Sequence, residues 1–278
     1  MENQSRTFLI DLVVIAKSIT SQVLDLVELA REHLGEMSIN SNIIIIHHTQ
    51  QNDADIPYDF FTFKTPKHSA AQSRNIALEH TTNEAVIFLD DDTLTHSQWA
   101  KDIRLFLEKP YLDIVCFNTG STTHTFDSST SQNGKLFKAD TAGMAIKKSL
   151  LDLNPRFDDS LMRAEDCDFV TTAIRKGFIT WFSSTKILDQ NKNNFIKKLI
   201  LKRKNKFYLE KIFAKHFSSN GNIINLKREY IYFFKGKKIE GNIYILDSIL
   251  VVDQVDNKLE IKLRHIVEKN KIRIIEEF

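Results

Sequence analysis

The 278-residue chain carries 38 Lys+Arg against 36 Asp+Glu, a formal net charge of +2, with 42% hydrophobic and 27% charged residues. These proportions exclude a disordered or fibrous chain, and the charge balance excludes a whole-protein nucleic-acid footprint. Cys116 and Cys167 are the only cysteines, which excludes a disulfide framework or a Cys-rich zinc site and suits a reducing cytosol.

At about 150 residues per domain the length allows one large domain or two modest ones. No run approaches the roughly 20 apolar residues of a membrane span. The best, Ile243 to Val252, is cut by Asp247 and Ser248. Asp11 breaks the first apolar run early, so a secretory signal is not expected.

In chain order, Phe8–Ile15 reads as a buried strand and Ser21–Leu34 as a helix stopped by Gly35. Asn42–Ile46 and Phe60–Lys64 read as strands, Ser69–His80 as a helix and Ala85–Leu89 as a further buried strand. Thr95 to Gln98 has capping-box spacing and opens a helix to about Glu108. Ile114–Phe117 is strand-like, Thr119–Gly134 a polar surface loop, and Leu136–Ile146 strand-like with Gly143 allowing close backbone approach. Ala164–Lys176 is a helix ended by Gly177. The alternation predicts an α/β layer with a mostly parallel sheet flanked by helices, whose ligands bind beyond the carboxyl ends of strands. Asn193–Phe217 reads as a basic helix. Past a boundary near Ser218 the pattern changes to short apolar runs between charged turns, so residues 1–218 form the predicted main domain and 219–278 a C-terminal helical/β appendage.

Three pieces carry chemistry. Asp90, Asp91 and Asp92 follow the apolar strand directly; adjacent carboxylates repel, and a hard divalent cation such as Mn2+ or Mg2+ relieves them. The bland alternative is a solvated acidic turn. Arg74 shares a helix face with Ala71 and Leu78, so its guanidinium needs an acidic or anionic partner, unless it snorkels to water. Glu165 and Asp166 open the helix that ends at Arg175 and Lys176; acids there suit the helix dipole, and one of them is also suited to accept a proton. A phosphatase of the haloacid-dehalogenase type is set aside. Aligning Thr93-Leu94 with its Thr-Leu puts Leu89 at the nucleophile position, and leucine cannot attack phosphorus.

Taken together, the Gln72–Asn75 helix with the Val86–Asp92 strand end, the Thr141–Lys148 strand, and Phe157–Asp159 leading to Glu165–Asp168 and Gly177 resemble glycosyltransferase family 2, an inverting family with the GT-A (Rossmann-like) fold. The resemblance implies that Asp90 and Asp92 hold Mn2+ or Mg2+ and, with Asp91 and Arg74, the diphosphate of a nucleotide-sugar donor. It implies that Asp166 is the base for the acceptor hydroxyl and that Glu165 positions the acceptor or orients the base. The implied acceptor is a saccharide, a lipid-linked or a protein hydroxyl, in glycan or polysaccharide biosynthesis. The chain departs from the family after its first strand (Ala16-Lys17-Ser18) and second (His47 to Asp53), where Asp53 stands in for the base-reading Asp; after the last core strand Asp189 or Asn191 replaces a metal-ligating His. A non-catalytic GT-A-like binding module is the second expectation. Nucleotidyl transfer lacks its Gly-rich N-terminal loop. Residues 193–217 read as a packed helix with a solvated Lys face; the functional alternative is contact with an anionic membrane, placing the protein in the cytoplasm at its inner face.

Overall fold

The computed structural model describes residues 6–48, 60–65, 69–91, 93–118, 134–137, 139–163, 165–189, 234–240, 243–246 and 249–252. Asp53, Asp92, Asn191, the basic segment 193–217, the polar loop 119–133 and the boundary at 218 lie outside the described residues.

The chain runs β1 (Phe8–Ile15), α1 (Ser21–Glu36), β2 (Ile39–His47), β3 (Phe60–Lys64), α2 (Ala70–Glu79), β4 (Ala85–Asp90), β5 (Thr93–Leu94) and α3 (Ser97–Glu108). It continues through β6 (Ile114–Asn118), β7 (Gly134–Phe137), β8 (Ala145–Lys147), α4 (Lys148–Leu151), α5 (Glu165–Arg175), β9 (Thr180–Lys186), β10 (Leu188–Asp189), β11 (Phe234–Glu240), β12 (Ile243–Leu246) and β13 (Ile249–Val252). The large sheet has the order β3-β2-β1-β4-β8-β6-β9-β13-β12-β11-β7, and β5 with β10 forms a separate ribbon. Strands β3, β2, β1 and β4 pair in parallel, as do β6, β9 and β13. Strand β8 lies antiparallel between β4 and β6. The C-terminal strands extend this same sheet, because β13 pairs with β9.

Side-chain alternation builds a core on each face. Ile10, Leu12 and Val14 of β1 join Ile43 and Ile45 of β2 under α1 and α3. Val13, Ile44 and Ile46 point the other way, into a second core with α2, α4 and α5. Asp11 is buried in β1, yet its carboxylate accepts hydrogen bonds from the Thr82 and Asn83 backbone N–H groups and from Asn83 Nδ2 at 2.7–3.0 Å. The acid that interrupts the first apolar run therefore pins the turn entering β4.

Four boundaries differ from expectation. Helix α1 runs through Gly35, where an added Cβ would meet nothing within 4 Å. The left-handed residue is Ser38, with φ 57, which turns the chain into β2. Helix α3 is capped by His96 rather than Thr95: His96 Nδ1 accepts from Trp99 N, leaving Nε2–H to donate to Lys186 O at 2.6 Å. Residues 136–146 are not one strand but the end of β7, a turn and the start of β8. The apolar run from Ile243 to Val252 is split into two strands, β12 and β13, that pair antiparallel. Strand β9 is an addition; its Ser183 Oγ donates to the buried Asp102 at 2.6 Å.

Candidate functional site

The carboxyl ends of β1, β2 and β4 form one edge, with Ile15 paired to Asp90 and β2 closing at His47. Strand β4 ends there because AVIFL is buried on both faces and Asp90 is the first side chain to reach solvent. Asp91 follows in a half-buried turn. The ribbon then folds residues 188–189 against this turn, with Asp189 opposite Thr93 in the register.

Helix α2 brings Arg74 to the same edge. Ser69 and Gln72 close a capping box at its start, fixing the rotation that buries Ala71, Arg74, Asn75 and Ala77. The Arg74 Nη1 donates to Glu165 Oε1, and its Nη2 to Asp90 Oδ1 at 3.4 Å. The guanidinium carbon lies 5.7 Å from the centre of the Phe157 ring, which stacks on Phe169. One cation therefore spans the end of β4 and the start of α5. Asp90 and Glu165 thus share one guanidinium.

Neighbouring Asn75 fixes the other side. Its Nδ2 donates to Phe157 O (2.9 Å) and Asp159 Oδ1 (2.8 Å), and its Oδ1 accepts from Phe157 N (2.8 Å). This clip holds the segment that leads into α5. The division of work between Arg74 and Asn75 is visible only in the structure.

The two ion pairs of Arg74 differ in kind. Its side chain is 6% exposed and that of Glu165 9%, whereas Asp90 is 39% exposed. Burial disfavours the Arg74 charge, but the negative charges of Glu165, Asp90 and Asp166 outweigh it and raise its pKa. Breaking the buried Arg74–Glu165 pair from one side costs about 3–5 kcal/mol. The half-exposed, longer pair with Asp90 contributes about 0–1 kcal/mol. Glu165 is thus paired with Arg74 in this structure. Asp166 stays half-buried, and its Oδ1 accepts from Cys167 N at 2.7 Å. Burial, followed by the negative charge of Asp166, pushes the Cys116 thiol well above its ordinary pKa.

Gly143 closes the floor. Its φ of 73° is left-handed, its N–H donates to Phe88 O at 2.7 Å, and a Cβ there would lie 2.1 Å from Ile187 Cδ1. The backbone approaches β4 as closely as the sequence predicted.

Among the described residues no three His, Cys, Asp or Glu side chains cluster closely enough to hold a metal ion. The donor chemistry does fit a hard divalent cation: Asp90 and Asp91 are successive carboxylates at an open strand end. The guanidinium of Arg74 faces Glu165, Asp90 and Asp166. Across the edge, His48 Nδ1 lies 3.0 Å from Thr65 Oγ1 and His47 is buried, so both close strand ends. No described helix is long and apolar enough to cross a membrane.

Residues 45–149 match the model of glycosyl transferase family 2. Among solved structures, a mannosyltransferase from Pyrobaculum calidifontis in complex with GDP-Man and Mn2+ is 15% identical, with a TM-score of 0.54 over 76% of this chain and 64% of that one. Glucosyl-3-phosphoglycerate synthase from Mycobacterium tuberculosis, in complex with Mg2+ and UDP, is 11% identical, with a TM-score of 0.52 over 77% of this chain and 82% of that one. The chain spans less than two thirds of the mannosyltransferase's length. None of the curated proteins matches. The fold is that of these GT-A structures, and residues 45–149 are similar to glycosyl transferase family 2.

Proposed function

We propose that this divergent glycosyltransferase family 2 relative is a metal-dependent hexosyltransferase that moves a sugar, with inversion, from a nucleotide-sugar donor to an acceptor hydroxyl in glycan or polysaccharide assembly. The single observation that carries the reading is the Arg74 crossing: the acidic end of β4 and the acidic start of α5 meet on one guanidinium. The family match covers the first of these elements, and both neighbours named above were solved with a nucleotide or nucleotide sugar and a divalent metal.

In this reading Asp90 and Asp92 would hold Mn2+ or Mg2+, with Asp91 and Arg74 on the donor diphosphate. The bound ion supplies charge neutralisation to the diphosphate. Asp166 takes the proton from the acceptor hydroxyl as its oxygen bonds to the anomeric carbon. The carbon–oxygen bond to the nucleoside diphosphate breaks on the opposite side, its electron pair leaving with the diphosphate, and the configuration inverts. Asp166 suits the base because it is half-buried yet beside the buried Arg74–Glu165 pair. Glu165 sets the position of α5 rather than the acceptor. The acceptor is a saccharide, lipid-linked or protein hydroxyl, and Asp53 remains the proposed reader of the base.

Incubating the protein with a panel of nucleotide sugars and Mn2+ tests the reading. Metal-dependent release of nucleoside diphosphate from one donor is expected. No release and no binding with any donor would favour a non-catalytic module.

A further inference from the structure

Arg74 holds two carboxylates with unequal grip. Its contact with Glu165 joins two side chains that are both almost fully buried, and its contact with Asp90 is longer and ends on a carboxylate that is 39% exposed. Among the described residues the buried Arg74 Nε has no hydrogen-bond partner, so they do not saturate the guanidinium. Phe157 backs one face of the ring plane, and the Asn75 clip fixes Phe157 in turn. The guanidinium therefore has a fixed anchor at Glu165 and an exchangeable partner at Asp90.

Resting on the metal-binding reading above, we infer that Arg74 is a positioning residue that serves as the resident counter-cation of Asp90, and that Glu165 sets how readily Asp90 is released to a divalent ion. A cation arriving at the strand end competes with Arg74 for Asp90, because both need the same carboxylate oxygens. Glu165 draws the guanidinium away from Asp90 and so favours the exchange. While Glu165 keeps its hold, the start of α5, and Asp166 with it, stays tied to α2 as Asp90 changes partner. Glu165 thereby acts on metal affinity without being a ligand.

The inference predicts opposite signs for two substitutions. Glu165→Gln removes the competing charge, leaves Asp90 as the partner of Arg74, and weakens Mn2+ binding. Arg74→Lys replaces a two-pronged fork with a point charge that cannot span both carboxylates. The ammonium follows the buried Glu165, Asp90 loses its contact with position 74, and Mn2+ binds more tightly.

Free Mn2+ measured by electron paramagnetic resonance during titration of the full chain reads this directly, with thermal unfolding by circular dichroism run alongside. The expected results are at least threefold weaker binding in Glu165→Gln, at least threefold tighter binding in Arg74→Lys, and loss of binding in Asp90→Asn. A purely structural role for the crossing would lower the melting temperature of both variants without moving their Mn2+ affinities in opposite directions. Should Glu165→Gln fail to fold, tighter binding in Arg74→Lys supports the inference and unchanged binding overturns it. Affinities within twofold of wild type in both variants, with Asp90→Asn still abolishing binding, overturn the inference and leave the metal reading intact. Absence of Mn2+ binding in the wild type overturns both.

Discussion

The two ends of the central strands both bury charge, and they satisfy it differently. At the amino end, Asp11 is met by three N–H groups, and Asp113 accepts from Ile179 N and Ser149 Oγ at 2.9 Å. Lys147 donates to Lys109 O, with its Nζ 4.7 Å from the centre of the Phe106 ring. Those charges are consumed by backbone and neighbouring groups, and the result is a closed seam. At the carboxyl end, Arg74 is shared among acids that outnumber it. Buried charge that is locally satisfied holds a fold together. At the carboxyl end one buried guanidinium instead bridges two acidic elements of the chain.

Substitutions at the two ends should therefore separate. The largest effect is expected at the carboxyl end: Asp166→Asn lowers sugar transfer by about 10²–10⁴-fold, the usual contribution of a general base, while donor binding persists. Single-turnover assays with the active donor check this, and undiminished transfer would remove Asp166 from the role.

At the amino end, Asp11→Ala strands two backbone donors and costs about 3 kcal/mol of stability without changing Mn2+ affinity. Urea unfolding monitored by circular dichroism checks it. A stability loss with altered metal affinity would show that the two ends are coupled. Gly143→Ala belongs to the floor between them. The added Cβ collides with Ile187 Cδ1, and φ 73° suits only glycine well, so a loss of about 1–3 kcal/mol is expected by the same measurement.

The smallest effect is a pH dependence. Burial lowers the Lys147 pKa from 10.5 to about 8, with Asp113 partly opposing the shift. Between about 8 and 10.5 the unfolded chain binds this proton and the folded chain does not. Folding stability from this group therefore rises with pH through that window. Comparing wild type with Lys147→Met across it isolates the contribution; equal slopes would contradict the assignment.

Much of the fold was legible because its strands are short apolar runs and its helices carry clear stripes. What escaped was set by partners far away in the chain. Strand β9 reads as polar because Ser183 is satisfied by Asp102, 81 residues earlier. Residues 136–146 look like one strand, but Gly143 turns the chain against β4. Gly35 looked like a helix stop, whereas the turn is made by Ser38. At the site, the order of Arg74, Asp90, Glu165 and Asp166 was readable from motifs. The pairing of Arg74 with Glu165 was not, since 91 residues separate them and Asp90 offered an equally acidic partner.

Calorimetric binding of the active nucleotide sugar to wild type, Asp90→Asn and Asp166→Asn, with and without Mn2+, tests the central claim most directly. The account predicts that wild type and Asp166→Asn bind only when Mn2+ is present and that Asp90→Asn does not bind. Equal binding by all three proteins regardless of metal would contradict it.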